Sequence, residues 1–201
     1  MSALRIPKLS EVGRSLEGVF RLIEGDEKGL ALFDTSANGF LRSFLAYAWC
    51  WPAQAFLWTG AWRTPEGVAR PDSVFGMVSY FLTGGMFDLL AWIVPALVIY
   101  PVSRVFGFRE HYVRTIVATN WFGVVATYVA FLPATIGYLA PVPEGFAAIL
   151  SLASYGFVIW LHFRIARVAL GGEGLLAMLV TLIALMSSIL VTATAFRILG
   201  I

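Results

Sequence analysis

The chain has 201 residues, of which 59% are hydrophobic and 13% are charged, whereas soluble domains carry about 25% charged residues. Its mean hydropathy of +0.81 excludes an ordinary soluble domain and is typical of an integral membrane protein. The formal net charge of +2 is too small, and the basic residues are too dispersed, for nucleic-acid binding. The only cysteine, Cys50, rules out an intramolecular disulfide and a multi-cysteine metal site.

Residues 1–38 are the one sizeable hydrophilic segment, and we predict that they form a cytosolic N-terminal region. This region lacks the apolar core of a secretory signal peptide, so we expect the first span to act as an uncleaved signal. Apolar residues recur at helical spacing from Leu9 to Ile23, which predicts an amphipathic helix with Ser10 as its N-cap. Such a helix could lie in the headgroup layer or dock on the bundle or on a partner. Six basic and six acidic residues within 1–42 favour docking against protein over binding to an anionic lipid surface, while an ordinary interfacial helix that leads into the first span is the default expectation.

Five apolar segments follow, at about 39–58, 74–100, 112–132, 146–168 and 175–196. About 20 apolar residues suffice for a helix to cross the ~30 Å hydrocarbon layer. Residues 39–201 are therefore predicted to be an all-α, polytopic transmembrane bundle of five spans. In the first span we expect Arg42 to extend towards the headgroups and Pro52 to introduce a kink.

The basic residues predict the orientation of these spans. Eleven of the 14 Lys and Arg residues fall on the N-terminal side of the predicted membrane and three on the opposite side. The positive-inside rule then predicts an inner N-terminus and an outer C-terminus. Only Lys8 and Lys28 among the basic residues are lysines. This bias towards arginine fits a GC-rich bacterial genome, so we expect a bacterial inner (cytoplasmic) membrane.

Asp88 is the only charged residue in the span 74–100 and lies near its middle, where an ionised side chain costs at least ~2.5 kcal/mol. Small residues share its helix face, so we expect the carboxyl group to point into the bundle. We predict that Asp88 pairs with Asn120 of the third span, and that Gln54 of the first span also finds a partner inside the bundle. These residues could be structural hydrogen-bonding groups or part of a proton or ion relay.

The last span carries a stripe of small residues that predicts a helix-packing seam of the left-handed bundle type. This seam could be covered within the chain, or it could be the face that contacts an oligomer or a partner. Its residues are Ala177, Thr181, Ala184, Ser188, Thr192 and Ala195.

The sequence predicts no catalytic, cofactor or metal site. His111 and His162 fall on different segments near the inner surface, without a second ligand at a metal-binding spacing, and are expected to be solvated interfacial residues. No phosphate-binding glycine motif is present, and an intramembrane aspartyl protease would need a second carboxylate beside Asp88.

Five closely spaced spans, a short N-terminal region and an N-in, C-out topology resemble the Yip1-type membrane proteins. The segment FDTSANGFLRSF (33–44) is similar to the aromatic and basic entry into the first span of bacterial relatives. The resemblance implies a five-span fold and a role in membrane organisation, and it assigns no functional residue.

We therefore expect a non-catalytic scaffold or accessory subunit that binds lipid and another membrane protein, or a homo-oligomer, through the seam and the N-terminal helix. The alternative is a small proton- or ion-coupled transporter or channel that uses Asp88, Gln54 and Asn120. A membrane-embedded enzyme of lipid or quinone chemistry, with His111 and His162 as acid and base, is the third possibility.

Overall fold

A computed structural model of the protein describes residues 5–60, 62, 70–140 and 142–199, and this part of the chain contains helices and no strands. The helices are α1 (Leu9–Glu24), a 3₁₀ helix (Glu27–Leu32), α2 (Ala37–Phe44), a second 3₁₀ helix (Leu45–Trp49), α3 (Trp51–Gly60), α4 (Val74–Val105), α5 (Arg109–Leu139), α6 (Glu144–Ala169) and α7 (Gly174–Leu199). Helices α4 to α7 are each long and apolar enough to cross a membrane. The protein is thus an all-helical integral membrane protein, as the sequence predicts.

Two of the long helices extend beyond their predicted ends because they tolerate internal prolines. Helix α4 continues through Pro101 to Val105, and α5 continues through Pro133 to Leu139. Each proline removes one backbone donor and leaves one carbonyl group without its helical partner. Prolines are tolerated inside membrane-spanning helices, so neither proline marks the end of its helix.

The predicted first span is not one helix. Residues 39–58 instead fall in α2, the second 3₁₀ helix and α3. Pro52 is the second residue of α3, and a proline fits the first turn of a helix because no intrahelical donor is needed there. The structure therefore does not confirm a fifth long span. Residues 61 and 63–69 of the predicted external loop lie outside the described part of the chain.

The broken segment, residues 37–60, lies along most of the length of α5. Near the start of both, the rings of Phe40 and Tyr112 are 5.9 Å apart. Further along, the Tyr128 hydroxyl donates to the Trp49 carbonyl group at 3.1 Å, and Phe56 packs edge-to-face on Tyr138 at 5.1 Å. The segment and α5 therefore run in the same direction.

Buried residues concentrate in one half of the bundle, beside the short connections at 106–108 and 170–173. All but two of the buried residues of α4 to α7 lie within 96–105, 109–124, 161–169 and 174–181; the exceptions are Pro133 and Ala195. Helix α1 packs on this half through Val19 and Leu22, so we call it the α1 half. The opposite half has a largely exposed, apolar surface.

A close backbone contact fixes α1 against the 3₁₀ helix that follows it. A Cβ atom on Gly29 would lie 2.7 Å from the Gly18 carbonyl oxygen, and one on Gly18 would lie 2.8 Å from the Phe33 ring. Only glycine permits this approach. Residues 9–33 thus form a folded unit on the bundle.

Candidate functional site

Asp88 lies on the face of α4 that contacts α3. The Trp58 side chain lies beside its carboxyl group, while Oδ2 is buried and has no hydrogen-bond partner among the described residues. Gly84, one turn earlier, lets α3 approach, because a Cβ atom there would be 3.1 Å from the Trp58 ring. The carboxyl group thus points into the protein as predicted, and the side chain beside it belongs to α3.

Asn120 has a different partner, so the predicted Asp88–Asn120 pair is wrong. Its amide donates to the hydroxyl group of Ser43 on α2 at 2.9 Å, and both residues are buried. Gln54 is partly buried on α3, and within the described residues no hydrogen bond joins it to either of the other two. The three side chains therefore do not form one polar path.

A cavity of about 150 Å³ lies between α4, α5, α6 and α7. Its polar lining consists of Thr119, Asn120, His162 and Ser188, and Trp92 forms part of the wall. The indole nitrogen of Trp92 is buried without an acceptor in the described chain. One water molecule occupies ~30 Å³ in the liquid, so the cavity has room for several waters or one small neutral molecule.

Pro95 and Gly123 shape the wall of this cavity. Pro95 cannot donate to the carbonyl group of Ala91 one turn earlier, and the Ser188 hydroxyl approaches that carbonyl at 3.5 Å. Gly123 lies against the flat ring of Trp92, where a Cβ atom would come within 2.5 Å. Sequence reasoning missed the cavity because its walls come from four separate helices.

The two histidines have different environments. His162 is partly buried inside the bundle, and its Nδ1 hydrogen-bonds to the Thr181 hydroxyl at 3.1 Å. The expectation of a solvated interfacial residue is therefore wrong for His162. His111 lies near the end of the bundle, with Nε2 3.8 Å from the Glu110 carboxylate. Within the described residues, no group of three or more His, Cys, Asp or Glu side chains could hold a metal ion.

The small-residue stripe of α7 is mostly covered within the chain. Ala177, Thr181 and Ala195 are buried. Ala184 and Ser188 line the cavity, and only Thr192 is exposed. The stripe therefore forms the packing surface of α7 against its own bundle, which was one of the two expected alternatives.

A charged cluster joins α1 to α2. Glu11 accepts from the backbone N–H of Lys8 at 2.9 Å and from Arg5 at 2.9 and 3.1 Å. The Arg42 guanidinium contacts the same carboxylate at 2.5 Å, with 22% of each side chain exposed. Helix α1 accordingly begins at Leu9, with Lys8 rather than Ser10 as its N-cap.

These contacts determine the charge state of Glu11. The hydrogen bond from Arg42, followed by those from Lys8 and Arg5, lowers its pKa from 4.5 to about 2. Sequence reasoning missed the pair because Arg42 was expected to extend towards lipid headgroups. The signal available in the sequence was the pair of opposite charges formed by Glu11, in the first turn of α1, and Arg42, in α2.

Comparisons of the chain with protein-family models, with curated proteins and with solved structures gave no match.

Proposed function

We propose that the protein is a non-catalytic accessory subunit or scaffold that binds another membrane protein through its N-terminal unit. The observation that carries this proposal is the ordered docking of residues 9–33 on the bundle. Val12, Val19 and Leu22 are buried in one core cluster with side chains of α5 and α6, and Glu11 is paired with Arg42. A unit held in this way presents a fixed surface, as a binding platform requires.

The surface of this unit carries charges of both signs. Arg14, Glu17 and Glu24 are exposed on α1, and Arg21 pairs with Glu17 at 2.7 Å. An anionic lipid surface attracts clustered basic residues, whereas alternating charges complement a protein surface with its own pattern. We name the exposed charged face of α1, formed by these four residues, the platform face. We propose this face, rather than the α7 seam, as the surface that contacts the partner, because the seam is mostly buried within the chain.

We also propose that the chain crosses the membrane five times, with residues 37–60 as a broken first crossing. Its support is the parallel course of this segment along α5, from Phe40 beside Tyr112 to Phe56 beside Tyr138. An odd number of crossings puts the two termini on opposite sides, and the positive-inside rule favours an inner N-terminus. We propose a bacterial inner membrane as the location, on the arginine-rich composition alone. The resemblance to Yip1-type proteins stays a prediction.

The test is co-purification from native membranes after mild cross-linking. We expect the tagged wild-type protein to bring down a stoichiometric membrane-protein partner, and the double variant Glu17→Arg, Glu24→Arg to lose most of it. The matched control is Glu144→Arg, an exposed acidic residue in the first turn of α6. The proposal would be overturned if the wild type were isolated without a partner. It would also be overturned if the double variant recovered as much partner as the control Glu144→Arg.

The second candidate, a small proton- or ion-coupled transporter, is favoured by the polar cavity and by Oδ2 of Asp88, which has no partner in the part of the chain that the structure describes. Trp92 lines the cavity one helical turn from Asp88, so a small rearrangement of this ring could join the two. This mechanism requires a pH-dependent flux in proteoliposomes that Asp88→Asn abolishes. Equal flux in liposomes with and without the wild-type protein would remove it.

A further inference from the structure

An open groove separates part of α1 from α5. It has a volume of about 480 Å³, and Leu9, Leu16 and Phe20 of α1 face Val125, Tyr128 and Leu132 of α5 across it. This volume falls within the range of about 300–1,000 Å³ of sites that bind small organic molecules. The groove is distinct from the cavity inside the bundle and from the platform face.

The lining of the groove suits hydrocarbon. Aliphatic and aromatic side chains form its walls, and the Tyr128 hydroxyl already donates to the Trp49 carbonyl group. Leu9 is 73% exposed, and Phe20 and Leu132 are both 54% exposed. A helix of a soluble protein would rarely leave such large apolar side chains together on its surface.

The position of the groove identifies its occupant. One wall is the outer surface of α5, a helix apolar enough to cross the membrane, so the groove is continuous with the surface that faces lipid. The other wall belongs to α1, whose exposed charged residues Arg14, Glu17 and Glu24 lie on another side of the helix. An amphipathic helix packed on a membrane-spanning helix can turn its apolar side towards acyl chains and its charged side towards the headgroups.

We propose that the groove between α1 and α5 binds one acyl chain of a phospholipid from the leaflet beside α1, and retains it as a structural lipid. The apolar side of α1 covers the chain from one side and α5 from the other, so the chain loses contact with bulk lipid. The headgroup lies at the level of the charged side of α1. This proposal does not rest on the accessory-subunit function.

Native mass spectrometry of the protein, extracted with a mild detergent, tests the proposal. We expect a peak for the monomer with one phospholipid, and at least a fivefold smaller lipid-bound fraction for Val129→Trp, because Val129 of α5 also lines the groove and an indole ring there would fill it. Leu132→Trp, at an exposed position of the lining, is a second variant that introduces the same indole ring with a smaller increase in volume and less risk to folding. The matched control is Leu152→Trp on α6, which is 75% exposed and outside the groove.

Three results would overturn the proposal. The first is a wild-type protein that carries no phospholipid under conditions that keep it folded. The second is an equal lipid-bound fraction in the groove variants and in Leu152→Trp, because the lipid would then be a general annulus. The third is a homodimer that the groove variants abolish, because a second copy of the chain would then be the occupant.

Discussion

Replacing Glu11 with Gln tests how α1 is held on the bundle. The variant keeps the size of the side chain but removes the carboxylate that pairs with the Arg42 guanidinium, which is only 22% exposed. A hydrogen bond to a charged group contributes about 1.5–3 kcal/mol, and an exposed ion pair contributes at most about 1 kcal/mol. Because the pair is only partly buried, we expect a loss of about 1–3 kcal/mol. For a chain of this size that lowers the Tm by about 2–12 °C.

Cys50 provides the assay. It is the only cysteine of the chain, it is fully buried, and it belongs to the same core cluster as Val12, Val19 and Leu22 of α1. A thiol-reactive fluorophore should therefore label the folded protein slowly and report the loosening of this cluster on heating. The matched control is Glu24→Gln, which removes an exposed carboxylate from the same helix.

The Glu11–Arg42 pair also predicts that the stability of the protein depends on pH. The folded-state pKa of Glu11, about 2, lies below its ordinary value of 4.5, so its contribution to stability is complete above pH 4.5. That contribution is lost as the pH falls from 4.5 towards 2, where the carboxylate becomes protonated. Glu11→Gln should lack this part of the acid destabilisation. Identical melting and identical acid sensitivity of Glu11→Gln and the wild type would refute the reasoning.

Two further substitutions test the packing of the bundle with the same assay. Gly123→Ala places a methyl group against the Trp92 ring, where a Cβ atom would lie 2.5 Å away, so we expect a loss of about 1–3 kcal/mol. Its control, Gly156→Ala, meets no atom within 4 Å and should leave the Tm unchanged or raise it. Asn120→Leu leaves the buried Ser43 hydroxyl without its donor, and we expect a loss of about 0.5–2 kcal/mol. An unchanged Tm in this variant would show that the hydrogen bond has no net stabilising effect.

Hydropathy alone predicts the four long helices, because a membrane imposes a minimum length and an apolar composition on each span. The same signal fails for residues 39–58, which are apolar enough for a span but form three short helices. Pro52 explains why α3 begins where it does, but the same proline could have produced a kink in one continuous helix. Whether residues 39–58 form one kinked helix or three short helices depends on contacts with α5, such as that of Tyr128 with the Trp49 carbonyl group.

In the candidate site, too, helix geometry predicts which way a side chain points, whereas its contacts depend on segments that are distant in the sequence. A midspan carboxyl group among small residues must point into the bundle, and Asp88 does so because this follows from helix geometry alone. Its neighbours cannot be read from spacing, since side chains of both α3 and α5 were at accessible depths. The structure places Trp58 of α3 beside Asp88, whereas Asn120 of α5 donates to the Ser43 hydroxyl of α2.

The concentration of buried residues in the α1 half has an evolutionary consequence. A side chain that faces lipid must be apolar but need not match a neighbour in shape, so Leu, Ile, Val and Phe can replace one another there. A side chain such as Phe108 or Ile165, which is at most 2% exposed, must also fit its neighbours. Mutations should therefore be tolerated unevenly along each long helix. Homologues would diverge first in the halves of α4 to α7 remote from α1, and would keep longest the end of the bundle on which α1 is docked.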